Sequence, residues 1–226
     1  MSQIAENLAT IWRRVQTAAI QAGRSPDTVK LLAVSKTFPP KAVSEAYSTG
    51  QLRFGENRVQ ELATKAPILP SEIEWHLIGH LQANKVRGAL EFSAWIHAVD
   101  SLSLLQRIER MAEEMAVHPR LLLEVNISGE ASKFGLQPSE VSTLLRELPQ
   151  NAPAPVVGLM TMAPLDAPSE LLHAVFGGLR QLRDRLQQET GHALPELSMG
   201  MSDDFEAAIQ EGSTIVRIGS AIFGHR

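Results

Sequence analysis

The 226-residue chain contains no cysteine, which excludes disulfide scaffolds, thiol nucleophiles, iron–sulfur clusters and thiolate zinc sites. It has no excess of basic charge either: 21 Lys and Arg stand against 25 Asp and Glu, a net charge of −4. That balance argues against a nucleic-acid footprint and against a polybasic membrane anchor. Long hydrophobic runs are missing too. The longest apolar stretch, 152–164, is broken by three prolines and a glycine and is too short to span a bilayer. The opening Met-Ser-Gln-Ile-Ala-Glu lacks a charged segment followed by an apolar stretch and a cleavage site, so the expectation is a soluble, cytoplasmic protein. No Gly-x-x-x-x-Gly-Lys, Gly-x-Gly-x-x-Gly or Gly-x-Ser-x-Gly occurs, which removes the P-loop, the dinucleotide fingerprint and the serine-hydrolase elbow. Lysine, histidine, carboxylates, hydroxyls or a bound cofactor remain to carry any chemistry.

What is present is an ordinary globular composition, 44% hydrophobic and 20% charged, with length for one domain over 1–226. Ile4, Leu8, Ile11, Val15 and Ala18 recur at spacings of three and four, the stripe of an amphipathic helix over 2–22. The apolar run 30–36 then suits a strand buried on both faces. Further strands are predicted over 52–54, 74–78, 95–99, 121–126, 156–160, 196–199 and 215–218. Helical patterns fall between them, over 40–48, 57–66, 82–90, 101–115, 138–148, 169–189 and 204–210. Eight strands in strict alternation with helices imply parallel pairing and right-handed crossovers, so the expected fold is an α/β class (β/α)8 TIM barrel with an extra N-terminal helix.

In such a barrel, chemistry sits at the C-terminal strand ends. The polar residues falling there are Ser35-Lys36-Thr37, Gly55-Glu56-Asn57, Gly79-His80 with His76 inside the strand, Asn126 with Lys133, Thr161, Ser198 to Asp204, and Arg217 with Gly219-Ser220. Lys36 ends an apolar run, where desolvation favours the neutral amine that attacks aldehydes; its bland alternative is a snorkelling or ion-paired lysine. The small-residue loop around Ser202 and the Gly219-Ser220 turn follow strands seven and eight, a common phosphate site of this fold, although each alone is an ordinary helix cap. Arg217 lies in the apolar run Ile215-Val216-Arg217-Ile218 and needs a buried partner. His76 and His80 have zinc-like spacing but flank a glycine at a strand end without the Glu of His-Glu-x-x-His, so no metal is expected. A strand-end lysine, a phosphate cup and an arginine on the eighth strand together point to pyridoxal 5′-phosphate.

Six ordered segments then resemble one family: 33–37 (Ala-Val-Ser-Lys-Thr), 54–61, 75–82, 158–162, 197–202 and 216–219 (Val-Arg-Ile-Gly) are similar to the pyridoxal phosphate homeostasis protein family. The resemblance implies an alanine-racemase-like barrel that holds pyridoxal 5′-phosphate as a Schiff base on Lys36, with no well-established turnover and a role in vitamin B6 balance. By position it implies that Arg217 donates to the pyridine nitrogen, that Ser202, Gly219 and Ser220 surround the phosphate, and that Asn57, His76 and Met199 lie near the ring. Lys133 matches a second family lysine that handles cofactor transiently. Phe38 stands where many relatives have lysine, and the chain ends at Arg226 where relatives often run on. PLP-dependent apoenzymes are the implied recipients, and a monomer is expected.

Two rivals differ in chemistry. A racemase needs a second acid/base opposite the lysine, usually a tyrosine from an added domain; the only tyrosine, Tyr47, falls in the helix after the first strand, where packing is its expected role. A Schiff-base aldolase would use the same lysine and phosphate cup for a sugar phosphate, but its lysine generally comes from a later strand.

Overall fold

The computed structural model describes residues 2–130, 134–148 and 152–224. Helix α1 (Gln3–Gln21) comes first, its Ser2 hydroxyl accepting from the Ala5 N–H and its Leu8, Ile11, Val15 and Ala18 buried along one stripe. Eight βα units follow. In chain order they are β1 (Lys30–Val34) and α2 (Pro40–Tyr47), β2 (Arg53–Glu56) and α3 (Val59–Lys65), β3 (Glu74–Leu77) and α4 (Val86–Phe92), β4 (Trp95–Val99) and α5 (Leu102–Met115). Then come β5 (Arg120–Glu124) and α6 (Pro138–Glu147), β6 (Val156–Met160) and α7 (Ser169–Thr190), β7 (Glu196–Ser198) and α8 (Phe205–Gln210), β8 (Ile215–Ile218) and α9 (Ser220–Phe223). Every neighbouring pair is parallel, and β8 closes on β1 with Leu32 opposite Arg217, so the sheet is a closed barrel. Among the described residues no helix is long and apolar enough to cross a membrane.

Alternation along each strand separates two cores. Outward residues such as Leu31, Trp75, Leu123, Leu197 and Val216 pack under the helices. Inward residues Leu32, Trp95, Leu122, Met160 and Ile215 fill the barrel. The inward positions are not all apolar: His76, His97, Ser198 and Arg217 are buried polar groups. The N-terminal mouth is closed by Trp95, with the Lys30 ammonium and the Arg120 guanidinium 5.4 and 5.1 Å from its ring.

Several strand ends differ from the sequence expectation: β2 runs on to Glu56, β3 and β7 stop one residue early at Leu77 and Ser198, and two further differences bear on the site. Strand pairing stops at Val34, and Lys36 lies beyond it in an exposed turn, so the burial expected of a strand-end lysine is absent. The fifth strand stops at Glu124 rather than running to 126; Asn126 instead braces the following loop, accepting from Gly129 N–H at 3.0 Å and donating to Glu130 O at 2.9 Å. In both places single backbone bonds persist past the regular ladder, Ser35 N–H to Gly55 O at 3.0 Å and Val125 N–H to Met160 O at 2.8 Å, and the residue pattern does not mark where regular pairing gives way to the loop.

Candidate functional site

The strand ends enclose a cavity of about 530 Å3 at the C-terminal face, a size suited to a small-molecule ligand. Lys36 borders it after β1, Asn57 after β2, and Ser202, Arg217, Gly219 and Ser220 from β7 and β8. Gly79 brings the third loop against the second: a Cβ there would stand 2.3 Å from Asn57 O, so only glycine permits this approach.

The turn bearing Lys36 is held by a buried charged cluster. Thr37 adopts φ 68°, a left-handed conformation that strains a β-branched residue, and its N–H donates to Glu61 Oε2 at 2.6 Å. Beneath it, Lys65 Nζ donates to Ser35 O at 2.9 Å and to Glu56 Oε1 at 2.6 Å, and lies 3.5 Å from Glu61 Oε2. The Ser35 hydroxyl donates to the same Glu56 oxygen at 2.7 Å. Glu56 Oε2 finds no donor and has the Glu61 carboxylate beside it. Two carboxyl groups hydrogen-bond only if one carries a proton. Burial, outweighing Lys65 and Ser35, raises Glu56 to about 7, while the Thr37 N–H, Glu56 and Lys65 together overcome burial and lower Glu61. Glu56 is therefore the member of the pair that takes up a proton as pH falls through neutrality, with its Oε2 the atom left for it, while Lys65 lies between the two carboxylates.

On the far wall Arg217 is buried. Its Nη1 donates to Ser198 Oγ at 2.7 Å and its Nη2 to Thr161 O at 3.0 Å. Burial lowers its pKa to about 10, against the favourable fields of Asp204 and Glu124. The guanidinium stays charged at neutral pH and can only donate.

The loop after β7 turns at Gly200 (φ +95°), where a Cβ would lie 2.6 Å from Ala208 Cβ. That turn lets Ser202 meet the β8 loop: Ser220 Oγ donates to Ser202 Oγ at 3.1 Å, and the Ala221 N–H reaches Ser202 Oγ at 3.4 Å. Two hydroxyls and nearby backbone N–H groups suit a phosphate. A primary amine, a donor-only guanidinium and a pair of hydroxyls thus border one cavity, groups that could meet an aldehyde, a ring nitrogen and a phosphate.

His76 and Met199, expected near the ring, do not border the cavity. His76 points inward below it, toward His97 and Glu74, while Met199 packs under the helices in the outer core. Lys133 lies outside the described residues. Phe38 packs against Phe223 at 5.3 Å, and Tyr47 sits half-buried in the α1–α2 core. Among the described residues no group of three or more His, Asp or Glu could hold a metal ion.

Several cavity residues went unseen in the sequence. Glu124 closes one side, raised by burial and by Asp100. Phe134 stacks on His80 at 4.5 Å over the mouth, and His80 also bonds Asp100 at 2.9 Å. A fifth strand ending at 124 would have disclosed Glu124 by the strand-end rule itself.

A closed parallel barrel with a lysine after the first strand and a hydroxyl-lined cradle after the last two defines a racemase-type barrel. The family model described as alanine racemase, N-terminal domain, matches residues 5–226. Pyridoxal phosphate homeostasis proteins of Pseudomonas aeruginosa and Aquifex aeolicus are 45% and 43% identical to it, covering 100% and 98% of this chain and 97% of each of theirs. The structure of PipY from Synechococcus elongatus with PLP bound superposes with a TM-score of 0.86 at 40% identity, over 98% of this chain and all of that one. The chain belongs to the pyridoxal phosphate homeostasis protein family.

Proposed function

We propose that this protein binds pyridoxal 5′-phosphate in the barrel mouth as a Schiff base on Lys36, and keeps and releases it for PLP-dependent apoenzymes rather than turning over a substrate. The observation that carries this is the meeting of Lys36, Arg217, Ser202 and Ser220 on one cavity. When bound, the cofactor supplies an aldehyde that condenses reversibly with a primary amine and releases water.

Lys36 provides the amine from an exposed turn, so water and competing amines reach it, which suits reversible loading. The Glu61–Thr37 bond fixes that turn. Arg217 orients a ring nitrogen without giving up a proton, and so withholds the electron sink that an acidic partner would create. Ser202 and Ser220 anchor the phosphate. Among the described residues no tyrosine borders the cavity to serve as an opposing acid/base, which supports holding over racemisation.

The test is transfer. Protein loaded with cofactor is mixed with an apo-aminotransferase while free pyridoxal phosphate is trapped. Recovery of aminotransferase activity, with no racemisation of L-alanine by the loaded protein alone, is the expected result. Racemisation at enzymatic rates contradicts the proposal. Light scattering before and after loading, expected to give a monomer mass, tests whether one chain suffices.

A further inference from the structure

A chain of hydrogen bonds runs along the barrel interior, from the cavity to the opposite mouth. Arg217 Nη1 meets Ser198 Oγ at 2.7 Å, Ser198 Oγ meets His97 Nδ1 at 2.9 Å, His97 Nε2 meets His76 Nδ1 at 2.8 Å, and His76 Nε2 meets Glu74 Oε1 at 3.1 Å. Ser198 and both imidazoles are fully buried, and the His76 ring stacks on Trp95 at 5.2 Å.

The two ends fix the direction of every proton. Arg217 can only donate and the Glu74 carboxylate can only accept. Ser198 Oγ therefore receives from Arg217 and gives its own proton to His97 Nδ1. His97 Nε2–H gives to His76 Nδ1, and His76 Nε2–H gives to Glu74. Each ring is neutral and protonated on Nε2, in keeping with burial, which lowers both histidines. At the far end the His76 N–H and the Arg53 guanidinium, 3.1 Å away, hold Glu74 ionised, lowering it to about 2. Reversal would leave the Ser198 proton without an acceptor among the described residues and set a bare His76 Nε2 against a carboxylate.

We infer that Glu74, His76, His97 and Ser198 form a one-way relay that positions the Arg217 guanidinium from the opposite end of the barrel, so that a group on the N-terminal face sets how the cavity meets its ligand. Its consequence for cofactor binding rests on Arg217 facing the cofactor ring as proposed above. None of the four residues needs to touch the ligand. They act through Arg217, the group each side-chain hydrogen bond leads back to. Other charges face the same groups: Lys30 and Arg53 toward His76, and Asp204 and Glu124 toward Arg217.

The test uses the full chain without cofactor, labelled with 15N in histidine and arginine, followed by titration with pyridoxal 5′-phosphate. At pH 7 both rings should show the neutral Nε2–H form with a bare Nδ1. Glu74→Gln, whose amide oxygen still accepts from His76, should preserve those tautomers and the Arg217 guanidinium signals. Glu74→Ala should shift the His97 and Arg217 resonances together and weaken cofactor binding about threefold to tenfold, the loss of one net hydrogen bond. An Nδ1–H tautomer or an imidazolium on either ring overturns the relay. So does a Glu74→Ala spectrum in which His76 alone moves. Wild-type protein that takes up no cofactor overturns the proposed function instead, and the tautomers and the Arg217 signals still decide the relay.

Discussion

The Thr37 N–H donates to Glu61 Oε2 across 2.6 Å, and this bond holds a β-branched residue in the left-handed region one position after Lys36. Without the Glu61 carboxylate the Thr37 N–H loses the bond that offsets the strain, and the turn is expected to relax toward extended backbone. Glu61→Ala should cost about 1.5–3 kcal/mol of stability, the range for a hydrogen bond to a charged group, and should weaken cofactor capture by misplacing Lys36. Urea unfolding and a binding titration on the same variant check both parts. Loss of stability with unchanged capture would show that the bond serves folding alone.

Glu56 gives a pH signature. Its folded-state pKa, raised from 4.5 to about 7 by burial, means the native protein binds a proton more tightly than the unfolded chain. The stability it contributes is fully present below pH 4.5 and is lost as pH rises through 7. At full extent that shift is worth about 3 kcal/mol, since one unit is 1.36 kcal/mol. Glu56→Gln places an amide donor toward Glu61 and keeps a carbonyl for Lys65 and Ser35, so it should remove this slope and be the more stable form at pH 8. Chemical denaturation of both proteins at pH 5, 6.5 and 8 measures the difference, which isolates Glu56 from other groups raised by burial, such as Glu124 and Asp204. Parallel curves would place an ionised Glu56 in the native state.

Ser202 and Ser220 predict a split between ligands. Removing either hydroxyl should weaken pyridoxal 5′-phosphate binding by about tenfold or more, as expected for a hydrogen bond to a charged phosphate, and leave pyridoxal, which lacks the phosphate, unaffected. Competition titrations with both ligands check it. Equal losses for the two would move the phosphate away from this cradle.

How far the sequence disclosed this molecule can be followed strand by strand. The runs 95–99, 156–160 and 215–218 coincide with β4, β6 and β8, because buried parallel strands are almost wholly apolar and end at polar residues. Arg217, Ser202 and Ser220 were found because strand ends and the loops beyond them point into the mouth. Lys36 borders the cavity for a reason other than the expected one: it is the polar end of its run, but it lies past the strand in an exposed turn and not at a buried strand end. The family resemblance implies His76 near the ring, whereas its side chain bonds His97 and Glu74 in the barrel interior, away from the cavity. His97 is inward by alternation with Trp95 and was available to the same logic. Its role was not, because a hydrogen-bonded chain joins β3, β4, β7 and β8, and such partnerships leave no period in any one strand. The Lys65–Glu56–Glu61 cluster escaped for the same reason, although Glu61 and Lys65 stand one helical turn apart.

Lys36 as the covalent anchor is the central claim, and one measurement addresses it directly. The purified protein is incubated with pyridoxal 5′-phosphate, reduced with borohydride, digested and mapped by peptide mass. The expected result is a protein with visible absorbance that bleaches on reduction, a pyridoxyl mass on Lys36, and neither signal in Lys36→Ala. A reduced adduct spread over surface lysines, or unchanged colour in Lys36→Ala, would contradict it.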